Sequence, residues 1–110
     1  MNIFDEIKQI IGEILDLEAQ AITPESYLIR ELGAESIDLL ELAAALQVAF
    51  RIEVNEADLF LQGARASLLP AEAPFLTRAR LAEIAADLAG GPVIKVKDLV
   101  SYVDWKLNKP

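Results

Sequence analysis

Apolar residues recur at steps of three and four along most of this chain, and each such run predicts an amphipathic helix. The first run is Ile3, Phe4, Ile7, Ile10, Ile11, Ile14 and Leu15, with Asp5, Glu6, Lys8 and Glu13 on the other face. It predicts a helix over 3–15 with Asn2 as its N-cap. From Asp16 to Glu35 the periodicity relaxes into a long loop. Thr23-Pro24 marks a turn or short helical start there, and Leu28, Ile29 and Leu32 are apolar anchors that a packed loop needs. Gly33 supplies a backbone conformation that a residue with a side chain would resist.

The strongest helical pattern runs from Ser36 to Phe50, with Ile37, Leu40, Leu42, Ala43, Leu46 and Phe50 as its apolar stripe and Asp38 and Glu41 on another face. Ile52-Glu53-Val54 reads as an extended link, followed by a short helix over Glu56–Leu61 that Asn55 caps and Leu59 and Phe60 anchor. The stretch 62–92 opens as a loop rich in small residues and proline. It then predicts a helix near Phe75–Ala89, with Leu81, Ile84, Ala85 and Leu88 on one face, stopped by Gly90-Gly91-Pro92. A last helix spans Val96–Leu107, with Val96, Leu99, Val100, Val103 and Leu107 along one side and Tyr102 and Trp105 adding amphipathic bulk. The expected fold is all-α: an up-and-down bundle of three main helices plus one short helix, with an additional inserted helix. One domain over 1–110, carrying an insertion at about 61–92, accounts for the length.

Composition narrows the chemistry. There is no cysteine, so disulfides, thiolate metal sites and a cysteine nucleophile are excluded. There is no histidine, which removes the usual general base near neutral pH, the usual zinc ligand and any Ser-His-Asp arrangement. No catalytic residue and no metal site is therefore expected, and any serine chemistry must be activated from outside the chain. The net charge of −8 opposes nucleic-acid binding and favours basic partners. No uncharged apolar stretch is long enough to span a bilayer, and the first fifteen residues lack the unbroken apolar run of a secretion signal. A cytoplasmic monomer without stable membrane insertion is expected.

Glu31-Leu32-Gly33-Ala34-Glu35-Ser36-Ile37-Asp38-Leu39-Leu40-Glu41-Leu42 is the most informative segment. It places Ser36 where a glycine-containing loop meets a long helix. A helix start presents unpaired N–H groups and partial positive charge, which suits an attached anionic group such as a serine phosphodiester. On residue type alone, Ser36 reads most simply as an N-cap, and Glu35, Asp38 and Glu41 as a solvated acidic face.

Leu32-Gly33-x-x-Ser36-hydrophobic-Asp38 followed by Glu41-Leu42 resembles the attachment motif of acyl carrier proteins, usually written around Asp-Ser-Leu. The likeness covers residues 3–61 and resumes at about Ile94–Trp105. It implies that a phosphopantetheinyl transferase moves a 4'-phosphopantetheine arm from coenzyme A onto Ser36, and that the arm's thiol holds acyl groups as thioesters. It implies a substrate of other enzymes rather than an enzyme. The partners would be the transferase and acyl-transfer and acyl-chain synthesis enzymes, whose basic docking surfaces meet Glu35, Asp38 and Glu41. Leu32, Leu42, Leu46, Phe50, Val54, Leu59 and Val103 are the expected lining of an acyl cavity. A fatty-acid or specialised-lipid role stands beside two alternatives: a peptidyl or polyketide-type carrier, and a helical interaction module that is never modified.

The chain departs from that pattern in places. Glu35 replaces the usual Asp and Ile37 the usual Leu, while Gln47-Val48-Ala49 stands where typical members are acidic. The insertion has an apolar face to bury, which predicts that its helix packs on or near this end of the bundle. There it would reshape the acyl cavity or offer a partner surface, with Phe60, Leu61, Leu68, Leu69, Phe75 and Leu76 bordering the cavity.

Overall fold

The computed structural model describes residues 2–54, 76–87 and 93–108. Among these, four α-helices occur: α1 (Ile3–Leu15), α2 (Ser36–Phe50), α3 (Arg78–Asp87) and α4 (Val96–Leu107). A single 3-10 turn at Ala19–Ala21 lies in the loop after α1. The expected short helix over Glu56–Leu61, with Asn55 and Leu59, lies outside the described residues, as do Phe60, Leu61, Leu68, Leu69, Phe75 and Leu88.

α1 begins where Asn2 Oδ1 accepts a hydrogen bond from Asp5 N at 3.2 Å. It ends at Asp16, which takes a left-handed conformation (φ 57°). Gly12 makes that ending possible. A Cβ there would stand 3.0 Å from the carbonyl oxygen of Leu17, whose own N–H donates to Gly12 O at 2.9 Å. α1 packs against both α2 and α4, and α2 touches α4. Ile7 and Ile11 from α1, Leu42, Leu46 and Phe50 from α2, and Val96, Leu99, Tyr102 and Val103 from α4 build the common core. The described residues thus form an all-helical bundle.

The long loop after α1 is pinned rather than free. Leu28 N donates to Ile94 O at 3.0 Å and Val96 N to Ser26 O at 3.0 Å, so Tyr27 and Lys95 form an isolated antiparallel bridge. The bridge carries Leu28 into the core and sets the segment that starts α4. A tight turn follows, in which Leu32 N donates to Tyr27 O and the Glu31 carboxylate accepts from Tyr27 N. Gly33 closes it with φ 76°, the left-handed region where glycine is favoured.

Three expectations about faces need correction. Ile37 and Leu40 are 69% and 53% exposed, not part of the buried stripe of α2. At about 100° per residue they lie about 140° and 160° around the helix from Leu42, so they point away from the core that Leu42 and Leu46 face. Leu107 is exposed at the last turn of α4, while Tyr102 is fully buried. On α3 Ala85, expected on the apolar face, is exposed, and the buried residues are Arg80 and Ile84.

α3 enters the core through Ile84, with Leu76 just before it, and both share one buried cluster with Leu46 and Phe50 of the second half of α2. Its polar anchors reach the Tyr27–Leu32 turn and α4, and Val48 is left 80% exposed. Gln47 has a local duty instead: its side-chain oxygen accepts from Val54 N at 3.1 Å and folds the link back onto α2.

Candidate functional site

Ser36 is the first residue of α2 and is exposed to solvent. It is not the N-cap. That position belongs to Glu35, whose backbone is extended (φ −102°, ψ 172°) and whose N–H donates to Asp38 Oδ2 at 2.9 Å. Leu39 N donates to Glu35 O at 3.0 Å, the first bond of the helix. Asp38 therefore satisfies the helix start by reaching back one turn, as the acidic member of a capping box does. Capping rests with Glu35 and Asp38, and the Ser36 hydroxyl is spared that role.

The acidic residues divide accordingly. Glu35 and Glu41 are exposed, whereas Asp38 is half-buried with one carboxylate oxygen engaged on the backbone. Around them α2 also shows apolar surface: Ile37, Leu40, Ala44 and Val48 all face solvent at helical spacing. Beyond Glu41 the helix bears no further charge up to Phe50.

Beside this helix start lies a narrow apolar cleft. Its walls are Ile11, Ile14 and Leu15 of α1, Leu28 and Ala34 of the loop, and Asp38, Leu39 and Leu42 of α2. Its volume is about 10 Å³, room for little more than one water. Of the residues expected to line an acyl cavity, Leu42 is in this wall. Leu46, Phe50 and Val103 lie in the core cluster, with Leu32 and Val54 packed against it, and Leu59 is outside the described residues.

A roomier recess of about 220 Å³ lies between α3 and α4, lined by Arg80, Glu83, Lys97, Asp98 and Ser101 among others. Its charges are paired with one another: Arg80 with Asp98 at 2.7 Å and with Glu83 at 3.3 Å, and Lys97 with Glu83 at 3.5 Å. Such a lining does not suit a hydrocarbon chain. Among the described residues, no group of three or more His, Cys, Asp or Glu could hold a metal ion. None of their helices is long and apolar enough to cross a membrane.

The network around α3 was missed in the sequence. Arg80 sits in the core side of α3, with Nε and Nη2 bonded to the two Asp98 oxygens at 2.7 and 2.8 Å and Nη2 also to Val93 O at 2.7 Å. Burial works against the charge on Arg80, but the Asp98 carboxylate outweighs it and holds the guanidinium above its usual range. At the far end of α3, Asp87 accepts from Tyr27 Oη at 2.5 Å and from Arg30 Nη1 at 3.1 Å. The Tyr27 and Arg30 bonds hold the Asp87 carboxyl below its ordinary value, and Asp87 in turn pushes the Tyr27 hydroxyl up. One signal was present: Arg80 lies four residues before Ile84, on what would otherwise be the apolar face of the helix.

Residues 5–64 match the family described as the phosphopantetheine attachment site. Among curated proteins, an acyl carrier protein of Campylobacter jejuni subsp. doylei is 40% identical over 58 residues, which is 53% of this chain and 75% of that protein. An acyl carrier protein of Helicobacter pylori strain J99 is 41% identical over 56 residues, 51% of this chain and 72% of that one. The chain belongs to the phosphopantetheine-binding acyl carrier protein family. Its members are carriers rather than enzymes, and the arm they bear is a covalent 4'-phosphopantetheine.

The residues around α2 fit such a group. An exposed primary alcohol stands in the first turn of a 15-residue helix, and other side chains cap that helix. The approach past Gly33 is open, since a Cβ built there meets nothing within 4 Å.

Proposed function

We propose that this chain carries acyl groups, as thioesters on an arm joined to Ser36, for fatty-acid or specialised lipid synthesis. The observation that carries the proposal is an exposed Ser36 hydroxyl at the start of α2, freed from capping by Glu35 and Asp38. In attachment, Ser36 Oγ forms a bond to the phosphorus of the pantetheine phosphate as the pyrophosphate bond of coenzyme A breaks and adenosine 3',5'-bisphosphate leaves. The hydroxyl proton passes to a base on the transferase, because this chain has no histidine. Once joined, the prosthetic group supplies the thiol that this cysteine-free chain lacks. The N–H groups of the first turn of α2 favour the phosphodiester charge beside them.

The apolar cleft beside Ser36 supports an apolar cargo, with Leu42 in its wall, Leu46, Phe50 and Val103 in the core cluster, and Leu32 and Val54 packed against that cluster. Glu35 and Glu41, with Asp38 between them, meet the basic surfaces of the transferase and the acyl-handling enzymes. Ile37, Leu40 and Val48 add an apolar strip to the same face. The strip amounts to on the order of 300 Å², well short of the ~800 Å² per partner of a stable complex. A face of that size suits brief docking by a monomer, in the cytoplasm. Residues 1–110 form one carrier domain, with the insertion at about 61–92.

The test is intact mass after incubation with coenzyme A and a broad-specificity phosphopantetheinyl transferase. The expected result is the gain of one arm by the wild type and none by Ser36→Ala. An unchanged wild-type mass would exclude a carrier role, and a gain that survives Ser36→Ala would move the site elsewhere.

A further inference from the structure

α3 is tied at one end to α4 and at the other to the turn that walls the apolar cleft. Toward its start, Arg80 is locked to Asp98 of α4 and to Val93 O. At its last residue, the Asp87 carboxylate accepts from Tyr27 Oη, and both its oxygens lie 3.1 Å from Arg30 Nη1. Arg30 Nη2 also donates to the Asp87 backbone oxygen at 3.1 Å. The Tyr27 ring lies against two cations, Arg30 at 4.4 Å and Lys95 at 4.8 Å from its centre.

Tyr27 and Arg30 belong to the turn that walls the apolar cleft. Leu28, next to Tyr27, and Ala34, at the end of the turn, both line that cleft, and Ser36 follows two residues later. At about 10 Å³ the cleft admits no acyl chain of several carbons unless a wall moves. Two of its walls are helices packed on each other and on α4. The third wall, the turn, is the one held by side-chain bonds to α3.

We propose that α3 straps this turn over the cleft through Asp87, and that the strap limits the length of acyl chain the carrier takes in. Asp87 is a positioning residue: it touches no cargo and acts through Tyr27, Arg30 and the cleft wall they carry. The inference rests on Ser36 bearing the arm. A plain structural tie would make the protein less stable whatever it carried, whereas a strap over the cleft changes which chains are sheltered.

The experiment loads the full chain from acyl-coenzyme A thioesters of four, eight, twelve and sixteen carbons, with intact mass read first for each product. Cleavage of each thioester by hydroxylamine is then timed for the wild type, Asp87→Asn and Tyr27→Phe. The Tyr27 variant removes one hydroxyl and keeps the ring and the Arg30–Asp87 pair, so it stays informative if Asp87→Asn folds poorly. Shelter of the thioester depends on how often the loaded chain leaves the protein. The expected result is that both variants slow cleavage of the longer chains, by about fivefold for Asp87→Asn. Cleavage of the four-carbon thioester stays unchanged. Asp87→Glu restores part of the wild-type profile. A loss of thermal stability equal for every loaded form, with the dependence on chain length unmoved, overturns the strap and leaves the Ser36 assignment intact. Absence of the mass gain overturns both.

Discussion

Replacing Arg80 by Met removes a buried guanidinium and keeps most of the volume of its stem. The Arg80 and Asp98 side chains are 7% and 2% exposed, so this pair is far from a surface salt bridge. Three short bonds disappear in the variant, two to the Asp98 oxygens and one to Val93 O. The bond from Arg80 to Glu83 also goes, but Glu83 is 53% exposed and that bond contributes little. What remains is a buried carboxylate whose partner is the Lys95 N–H at 2.9 Å. Breaking a buried pair from one side costs about 3–5 kcal/mol, against a total stability of roughly 5–15 kcal/mol for a domain. The melting temperature should fall by about 4–8 °C for each kcal/mol lost.

The double variant Arg80→Met with Asp98→Asn discriminates the mechanism. Asn keeps an oxygen for the Lys95 N–H and leaves no charge behind, so the pair of changes should cost less than Arg80→Met alone. Urea unfolding of the four proteins gives the coupling, expected at about 2 kcal/mol or more in favour of the double variant. Single changes that each cost below about 1 kcal/mol and add without coupling would falsify the burial of this pair in solution, and with it the α4 anchor of the strap.

Two further outcomes follow from the loop. Glu25 binds Lys95 at 3.0 Å and Lys97 at 2.9 Å, and the Lys97 bond above all lowers its carboxyl from 4.5 to about 2. A depressed carboxyl stabilises the fold above the unfolded value, and the effect is lost as pH falls through the folded one. The stability gap between wild type and Glu25→Gln, followed by thermal melts, should be present at neutral pH and close between pH 4.5 and about 2; because Glu25 is 64% exposed, the gap is small and shrinks further in salt. Gly33→Ala places a Cβ where nothing stands within 4 Å, so its cost is purely that of φ 76°. It should be about 1–2 kcal/mol in urea unfolding, with Gly33→Asn milder.

The three bundle helices were legible in the sequence because each has a dense apolar stripe and two have recognisable starts. Asn2 before Ile3 and Ser36 after a glycine-containing loop both mark a helix start, although Ser36 reads there as the cap that Glu35 and Asp38 in fact supply. The helix bounds at 3–15, 36–50 and 96–107 match for that reason. The faces were harder, because α2 is apolar nearly all round after Glu41 and periodicity alone does not choose between Leu40 and Leu39. Of the two anchors of α3, only Arg80 leaves a mark, as a charge on the apolar face four residues before Ile84, and the Asp87 anchor leaves none. Tyr27 and Arg30 lie 60 and 57 residues from Asp87, and each is an unremarkable polar residue in its own segment. Their meaning depends on the Tyr27–Lys95 bridge, which is too short to show the alternation of a strand.

The two anchors of α3 differ in depth, and this decides how the strap would open. The Arg80–Asp98 pair is enclosed, while Arg30 and Asp87 are 21% and 30% exposed, so water competes for the second pair and not for the first. Ile84 also sits on the buried side of α3 and secures it to the core. Release at Asp87 is therefore the lesser opening, and it loosens the turn beyond the Tyr27–Lys95 bridge while α3 stays on α4. Hydrogen exchange can see the order. Gly33 N and Ala34 N, bonded to Ile29 O and Leu28 O at 3.2 Å, should exchange through a smaller opening than the amides of α3 around Ile84. Asp87→Asn should speed exchange across the turn and leave the α3 amides near Arg80 protected. If the turn and α3 exchange together, with one dependence on denaturant, the two anchors open as a single unit and the turn has no independent motion for Asp87 to restrain.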